Sequence, residues 1–149
     1  MKVNKIAIGS DHAGLEFKNK IIEFLKTKNV FTNDVGTHTK ASVHYPDFAK
    51  KACELINNHE CEKAILVCGT GVGISVAANK IKGIRSVVCS EPYSAKMSRS
   101  HNDSNVLALG SRVVGIELAK EIITTWLNTE FEGGRHIARL NLIKNLEAD

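Results

Sequence analysis

Cys68 ends a short apolar run and opens the segment Cys68-Gly69-Thr70-Gly71-Val72-Gly73-Ile74-Ser75. Three glycines at alternate positions before a predicted helix make a loop whose N–H groups can converge on one spot. The dipole of the following helix adds to the attraction for negative charge. This is not a P-loop, because no Lys-Ser/Thr pair follows. It is a poor dinucleotide fingerprint too, since the third glycine comes one residue early. Glu91 lies near where a ribose-binding acid would sit, but Pro92 follows it directly. The plain alternative is a tight strand-to-helix turn. A cysteine at a strand end is ordinarily a small core residue. Beside a helix N-terminus, however, a thiol is a usable base or nucleophile, because the thiolate form is stabilised. Placed before an anion-holding loop, Cys68 becomes a candidate base.

Other reactive types fall at comparable places. Gly9-Ser10-Asp11-His12-Ala13-Gly14 follows the first predicted strand. Asp11 alone reads as a helix cap, whereas His12, with a ring nitrogen free, can face a ligand. His101, in Ser100-His101-Asn102-Asp103, closes another predicted helix. It is either a general acid–base or a surface histidine favoured there by the helix dipole. Arg112 follows the fifth predicted strand, and Arg135 and Arg139 are four apart, on one face of the last predicted helix. Converging arginines hold phosphate bidentately; each taken singly reads as a solvated surface residue.

The elements that must position these residues alternate along the chain. Apolar, β-branched runs occur at Val3–Ile8, Val30–Val35, Ala64–Val67, Arg85–Val88 and Asn105–Leu109. Between them apolar residues recur at helical spacing: Ala13, Phe17, Ile21, Phe24 and Leu25, and later Ile116, Leu118, Ala119, Ile122, Ile123, Trp126 and Leu127. Tyr45-Pro46-Asp47 starts another helix, with Phe48, Ala49, Ala52, Leu55 and Ile56 inward. Such alternation predicts an α/β fold: a parallel sheet with helices on both faces and strands apolar throughout. Ligands of such sheets sit beyond the carboxyl ends of the strands. After the break at Glu130–Gly134, residues Arg135–Leu146 form a final helix, expected to dock on a partner subunit and so to make a homodimer.

With 149 residues, 43% hydrophobic and 24% charged, the chain suits one domain over 1–149. No apolar run approaches the roughly 20 residues of a membrane span. The start lacks a signal-peptide pattern, so the expected location is cytoplasmic. The net charge of +4 is spread along the chain and aromatics are only 5%, unlike a nucleic-acid-binding stripe; a small anionic ligand accounts for it. The four cysteines, at 53, 61, 68 and 89, form no CxxC and no zinc-ribbon spacing.

Taken together, these motifs resemble the ribose-5-phosphate isomerase B family. The resemblance rests on Ile6–Gly14, Cys68–Ser75 with Ala77-Ala78-Asn79-Lys80, Gly83-Ile84-Arg85, Cys89–Ala95, His101-Asn102-Asp103, Gly110-Ser111-Arg112 and Glu132–His136. It covers essentially the whole chain. The resemblance implies a Rossmann-like three-layer fold with a five-stranded parallel sheet, a dimer with sites at the interface, and neither metal nor other cofactor. It implies an aldose–ketose isomerase acting on ribose 5-phosphate and ribulose 5-phosphate. Cys68 would be the base between C2 and C1, and His101 would open the furanose ring. Gly69, Gly71, Val72 and Gly73 would hold the enediolate, with Thr70 nearby. Asp11, His12, Asn102, Arg112, Arg135 and Arg139 would bind sugar hydroxyls or phosphate, some across the dimer. A second branch of the family uses a glutamate within the glycine loop; here that position is Ile74, which places the chain with the cysteine users. Isomerases of six-carbon sugar phosphates share these motifs. The loop Thr37–Tyr45 is expected to border the pocket and set substrate length. A non-catalytic sugar-phosphate-binding module would use the glycine loop and arginines without needing Cys68 or His101.

Overall fold

The computed structural model describes residues 5–147. In chain order it contains β1 (Lys5–Ser10), a 3-10 turn (His12–Gly14), α1 (Leu15–Thr27), β2 (Phe31–Gly36), α2 (Tyr45–Asn57) and β3 (Lys63–Cys68). These are followed by α3 (Val72–Ala78), β4 (Ser86–Val88), α4 (Pro92–Asn102), β5 (Val106–Gly110), α5 (Ile116–Asn128) and α6 (His136–Asn145). Each expected strand and helix is present. Val3, where the first strand was expected to begin, lies outside the described residues.

The five strands form one sheet in the order β2-β1-β3-β5-β4, and every neighbouring pair is parallel. Right-handed crossovers then dictate the layers. The connections β1→β2 and β4→β5 run one way across the sheet, and β2→β3 and β3→β4 run the other. Hence α1 and α4 must cover one face and α2 and α3 the opposite one. The buried clusters agree: Ile21, Leu25 and Ala95 meet Ile6, Ile8, Ile65, Val67, Leu107 and Leu109, joined by Trp126 of α5. On the other face Ala49, Ala52, Ile74 and Ala78 meet Ala7, Ala64, Leu66, Cys68, Val106 and Ala108. Both faces of the central strands β1, β3 and β5 are apolar, as both are covered, whereas edge strand β2 carries Thr32, Asn33 and Asp34 and departs from the expectation of strands apolar throughout. The two faces differ in size: larger branched residues lie beneath α1, α4 and α5, and Ala7, Ala64 and Ala108 alternate with larger side chains beneath α2 and α3. The direction in which successive connections step across the sheet reverses between β1 and β3, so their carboxyl ends flank the switch-point crevice.

Three local features stand out within this frame. Asn79 at the end of α3 pairs with the backbone of Ser86 in both directions, at 2.9 and 2.7 Å, tying the helix to β4. Lys18, on the inward side of α1, is fully buried and lies 2.7 Å from each carboxylate oxygen of Asp34 in β2. Removing one partner of such a pair costs about 3–5 kcal/mol, whereas replacing both by apolar residues is near neutral. Finally, α6 buries only His136 and leaves Ile137, Leu142 and Ile143 exposed.

Candidate active site

Cys68, the last residue of β3, is buried at the carboxyl edge of the sheet. Its Sγ accepts the N–H of Gly71 at 3.1 Å, and the N–H of Val72 goes to Thr70 Oγ1 at 3.2 Å. The loop therefore wraps the sulfur, and not all of its N–H groups point at one free spot as the glycine spacing alone suggested. Glycine is required for this wrap. Gly71 has φ +80, and a Cβ there would lie 2.8 Å from the carbonyl carbon of Leu109. At Gly110, across the loop, a Cβ would come 2.5 Å from the oxygen of Thr70. The helix after the loop, α3, has seven residues, so the loop's own N–H groups, more than a long dipole, supply the local field.

The neighbouring strand ends converge here. Asp11 accepts the N–H of Gly14 at 3.1 Å and caps the 3-10 turn, as expected of it alone. His12 is not free at both ring nitrogens: Nδ1 accepts the N–H of Val43 at 3.2 Å, which leaves the Nε2 side for a ligand. Arg112 is brought over the loop by its own N–H to the Gly69 carbonyl, at 3.0 Å, and by the N–H of Ser111 to the Cys68 carbonyl, at 2.9 Å. A Cβ on Gly69 would lie 3.1 Å from the Arg112 guanidinium. Tyr45, read from the sequence as a helix start and a loop boundary, lays its ring against Gly73, within 3 Å of where a Cβ would sit. Thus Asp11, His12, Cys68, Gly69–Gly73 and Arg112 form one cluster, with Tyr45 added.

The remaining candidates lie elsewhere. Helix α4 leaves the carboxyl end of β4 and returns to the start of β5. Its eleven residues span about 16 Å. His101 and Asn102 therefore sit at the amino edge of the sheet, away from the Cys68 of the same chain. There the His101 and His136 rings stack with centroids 4.4 Å apart, and His136 Nε2 lies 3.7 Å from Glu132. Burial first, then His101 and Arg135, hold His136 below the usual imidazole range, with Glu132 opposing and Arg139 adding to the depression. Arg139 lies within α6, and Arg135 is its N-cap, still in helical conformation. His101, Glu132 and His136 each offer a donor atom within 4.8 Å of the others. Arg135 and Arg139 lie close enough to oppose charge on His136, and the same field opposes a bound cation.

Two arginines that carried no functional reading hold this second cluster in place. Asp103 closes α4 in the left-handed region, with φ 46. Arg99 donates to its carboxylate at 2.9 Å. Arg85 donates to the carbonyls of Asn102 and Asp103 at 3.0 and 2.8 Å. The motif signal for both was their closeness in sequence to Gly83-Ile84 and His101. Glu91, weighed as a ribose-binding acid, instead caps α4 through the Ser94 N–H, at 2.9 Å; hydrogen bonding from the Ser94 side chain first, and then from its N–H, lowers the carboxyl pKa. Among the other thiols, burial pushes Cys53 up to about 12 and Cys89 to about 11, and all four cysteines are free.

The matches to known proteins run along the same residues. The model of the Ribose/Galactose Isomerase family matches residues 6–143. Ribose-5-phosphate isomerase B of Escherichia coli is 51% identical over 145 residues, 97% of each chain. D-erythrulose-4-phosphate isomerase of Pectobacterium atrosepticum is 45% identical, covering 87% of this chain and 86% of its own. Among solved structures, ribose-5-phosphate isomerase B of Clostridium thermocellum superposes with a TM-score of 0.95 at 53% identity, over 96% of this chain and 97% of that one. The Mycoplasma genitalium protein with bound ribulose 5-phosphate gives 0.91 at 40% identity, over 96% and 95%. The chain belongs to the ribose/galactose isomerase family.

Proposed function

We propose that this chain interconverts D-ribose 5-phosphate and D-ribulose 5-phosphate, as a single cytoplasmic domain over residues 1–149 that works as a homodimer. One protomer contributes the carboxyl-edge cluster. His101, Asn102, Arg135 and Arg139 come from the partner subunit, because α4 carries His101 and Asn102 to the opposite edge of their own sheet, where the start of α6 brings the two arginines beside them. The exposed apolar residues of α6 fit a helix that docks on that partner.

Ring opening takes the proton of the anomeric hydroxyl and returns one to the ring oxygen, a role for the partner's His101. The Cys68 thiolate then removes the proton on C2. That electron pair forms the C1–C2 double bond, and the carbonyl electrons move onto O1, giving the enediolate. N–H groups of the glycine loop and the Arg112 guanidinium face this developing charge, and one such donor typically contributes about 3–4 kcal/mol of barrier reduction. Return of the proton to C1, with the O2 proton passing to O1 as the C2 carbonyl forms, completes the ketose. Arg135 and Arg139 hold the phosphate.

The observation that carries this reading is Cys68 Sγ held inside the glycine loop by the Gly71 N–H. Its test is turnover of ribose 5-phosphate in EDTA by wild type and by Cys68→Ala. Turnover by wild type alone, with phosphate binding kept in both, supports the base. Turnover by both would reduce Cys68 to a core thiol. If neither turns over, a panel of four- and six-carbon sugar phosphates is the next assay. Saturable binding without turnover of any of them would favour a binding module.

A further inference from the structure

We infer that the buried Lys18–Asp34 ion pair is a positioning device for residues 37–44, and through them for His12. The inference rests on the isomerase reading above.

A lysine with no exposed surface is kept in a fold only when its charge is paired, and such a pair adds little net stability over apolar residues of equal volume. Its location supplies the other role. Asp34 stands where β2 departs from regular pairing with β1: Ile8 faces Asp34, but Gly9 faces Gly36, skipping Val35. Such bulges re-aim the chain. The carboxylate that holds Lys18 also accepts the Gly36 N–H at 3.0 Å, and His38 Nδ1 lies 3.8 Å from it. It therefore fixes the direction in which the chain leaves the sheet.

What leaves is a strap with almost no core of its own, since residues 38–42 are exposed. Its course depends on a few bonds. The Thr37 N–H donates to the Ser10 carbonyl at 2.8 Å. The Thr39 N–H reaches Thr37 Oγ1 at 3.3 Å, and the Ala41 N–H reaches Thr39 Oγ1 at 3.1 Å. The Val43 N–H then donates to His12 Nδ1, and the strap ends at Tyr45 against Gly73. The Val43 bond sets which ring nitrogen of His12 carries the proton and which way the ring faces. Lys18, remote from any reacting atom, acts through Asp34, the strap and Val43.

The test replaces the pair by neutral residues of similar shape, Lys18→Met with Asp34→Asn, which strands no buried charge. The thermal midpoint stays near wild type. KM for ribose 5-phosphate rises about tenfold while kcat changes less than about threefold, as expected when orientation of bound sugar is loosened. Hydrogen exchange of a peptide spanning 37–44 accelerates. Val43→Pro, which removes the N–H to His12 without touching the pair, gives the same KM signature. Wild-type KM and strap exchange in both variants would overturn the inference. The exchange readout needs no turnover, so the strap is tested even if the wild type fails to isomerise ribose 5-phosphate.

Discussion

At the carboxyl edge of the sheet the backbone does the holding: a glycine loop wraps Cys68, and strand ends bring Asp11, His12 and Arg112 beside it. At the amino edge side chains do it. Arg85 and Arg99 grip the end of α4, and His101 stacks on His136 beside Glu132. The first edge has no room for an added Cβ, and the second depends on charge and on ring contact. The two should therefore fail in different ways.

The largest effect comes from separating the edges genetically. Cys68→Ala and His101→Asn are each expected to abolish turnover of cyclic ribose 5-phosphate. His101→Asn should retain activity on an open-chain analogue. In the proposed homodimer, the inactive chains co-expressed under two tags would form mixed dimers in which one site is wholly wild type. Random pairing then restores about a quarter of wild-type activity. No recovery in purified mixed dimers would place both residues in one protomer's site and break the comparison.

Next in size is Gly71→Ala. Its φ of +80 and the 2.8 Å approach to Leu109 make any side chain strained by about 1–3 kcal/mol. Because the loop wraps the base, kcat should fall by more than the thermal midpoint implies. A variant with wild-type kcat would show that the wrap is dispensable.

The smallest effect is on pH dependence of stability. Burial and neighbouring cations hold His136 below its ordinary 6.5. The unfolded chain therefore binds more protons than the folded one just below that pH, and stability falls as the pH drops through this window. His136→Asn should flatten the decline between neutral pH and pH about 5.5, read as thermal midpoints of the two proteins side by side. An unchanged slope would mean that the ring carries no such strain.

Much of the carboxyl edge was legible from the chain. Alternating strands and helices imply a parallel sheet, and ligands gather past its strand ends, which singled out Cys68, Asp11, His12 and Arg112. The sheet order was not legible, because β5 inserts between β3 and β4 and no local pattern encodes which neighbour a strand chooses. His101 was read as a helix end, but its distance from Cys68 required the helix length and the return direction together. Lys18 escaped notice because a charged residue in an amphipathic helix is ordinarily solvated, and only the third dimension shows Asp34 opposite it. Tyr45 was seen as a helix start, since its ring contact with Gly73 joins segments far apart in sequence.

The unequal faces of the sheet bear on how such a chain can drift over evolutionary time. Beneath α1, α4 and α5 the layer is isoleucine, leucine, valine and tryptophan, whose volumes can be traded among neighbours at modest cost. Beneath α2 and α3 alanines are interleaved with Leu66, Cys68 and Val106, and at those alanines a neutral exchange has few alternatives, since growth overpacks and glycine loosens the strand. The glycine loop and Tyr45 hang from that second layer. Neutral substitutions should therefore accumulate on the branched face, while the alanine positions of the face that carries the thiol stay small.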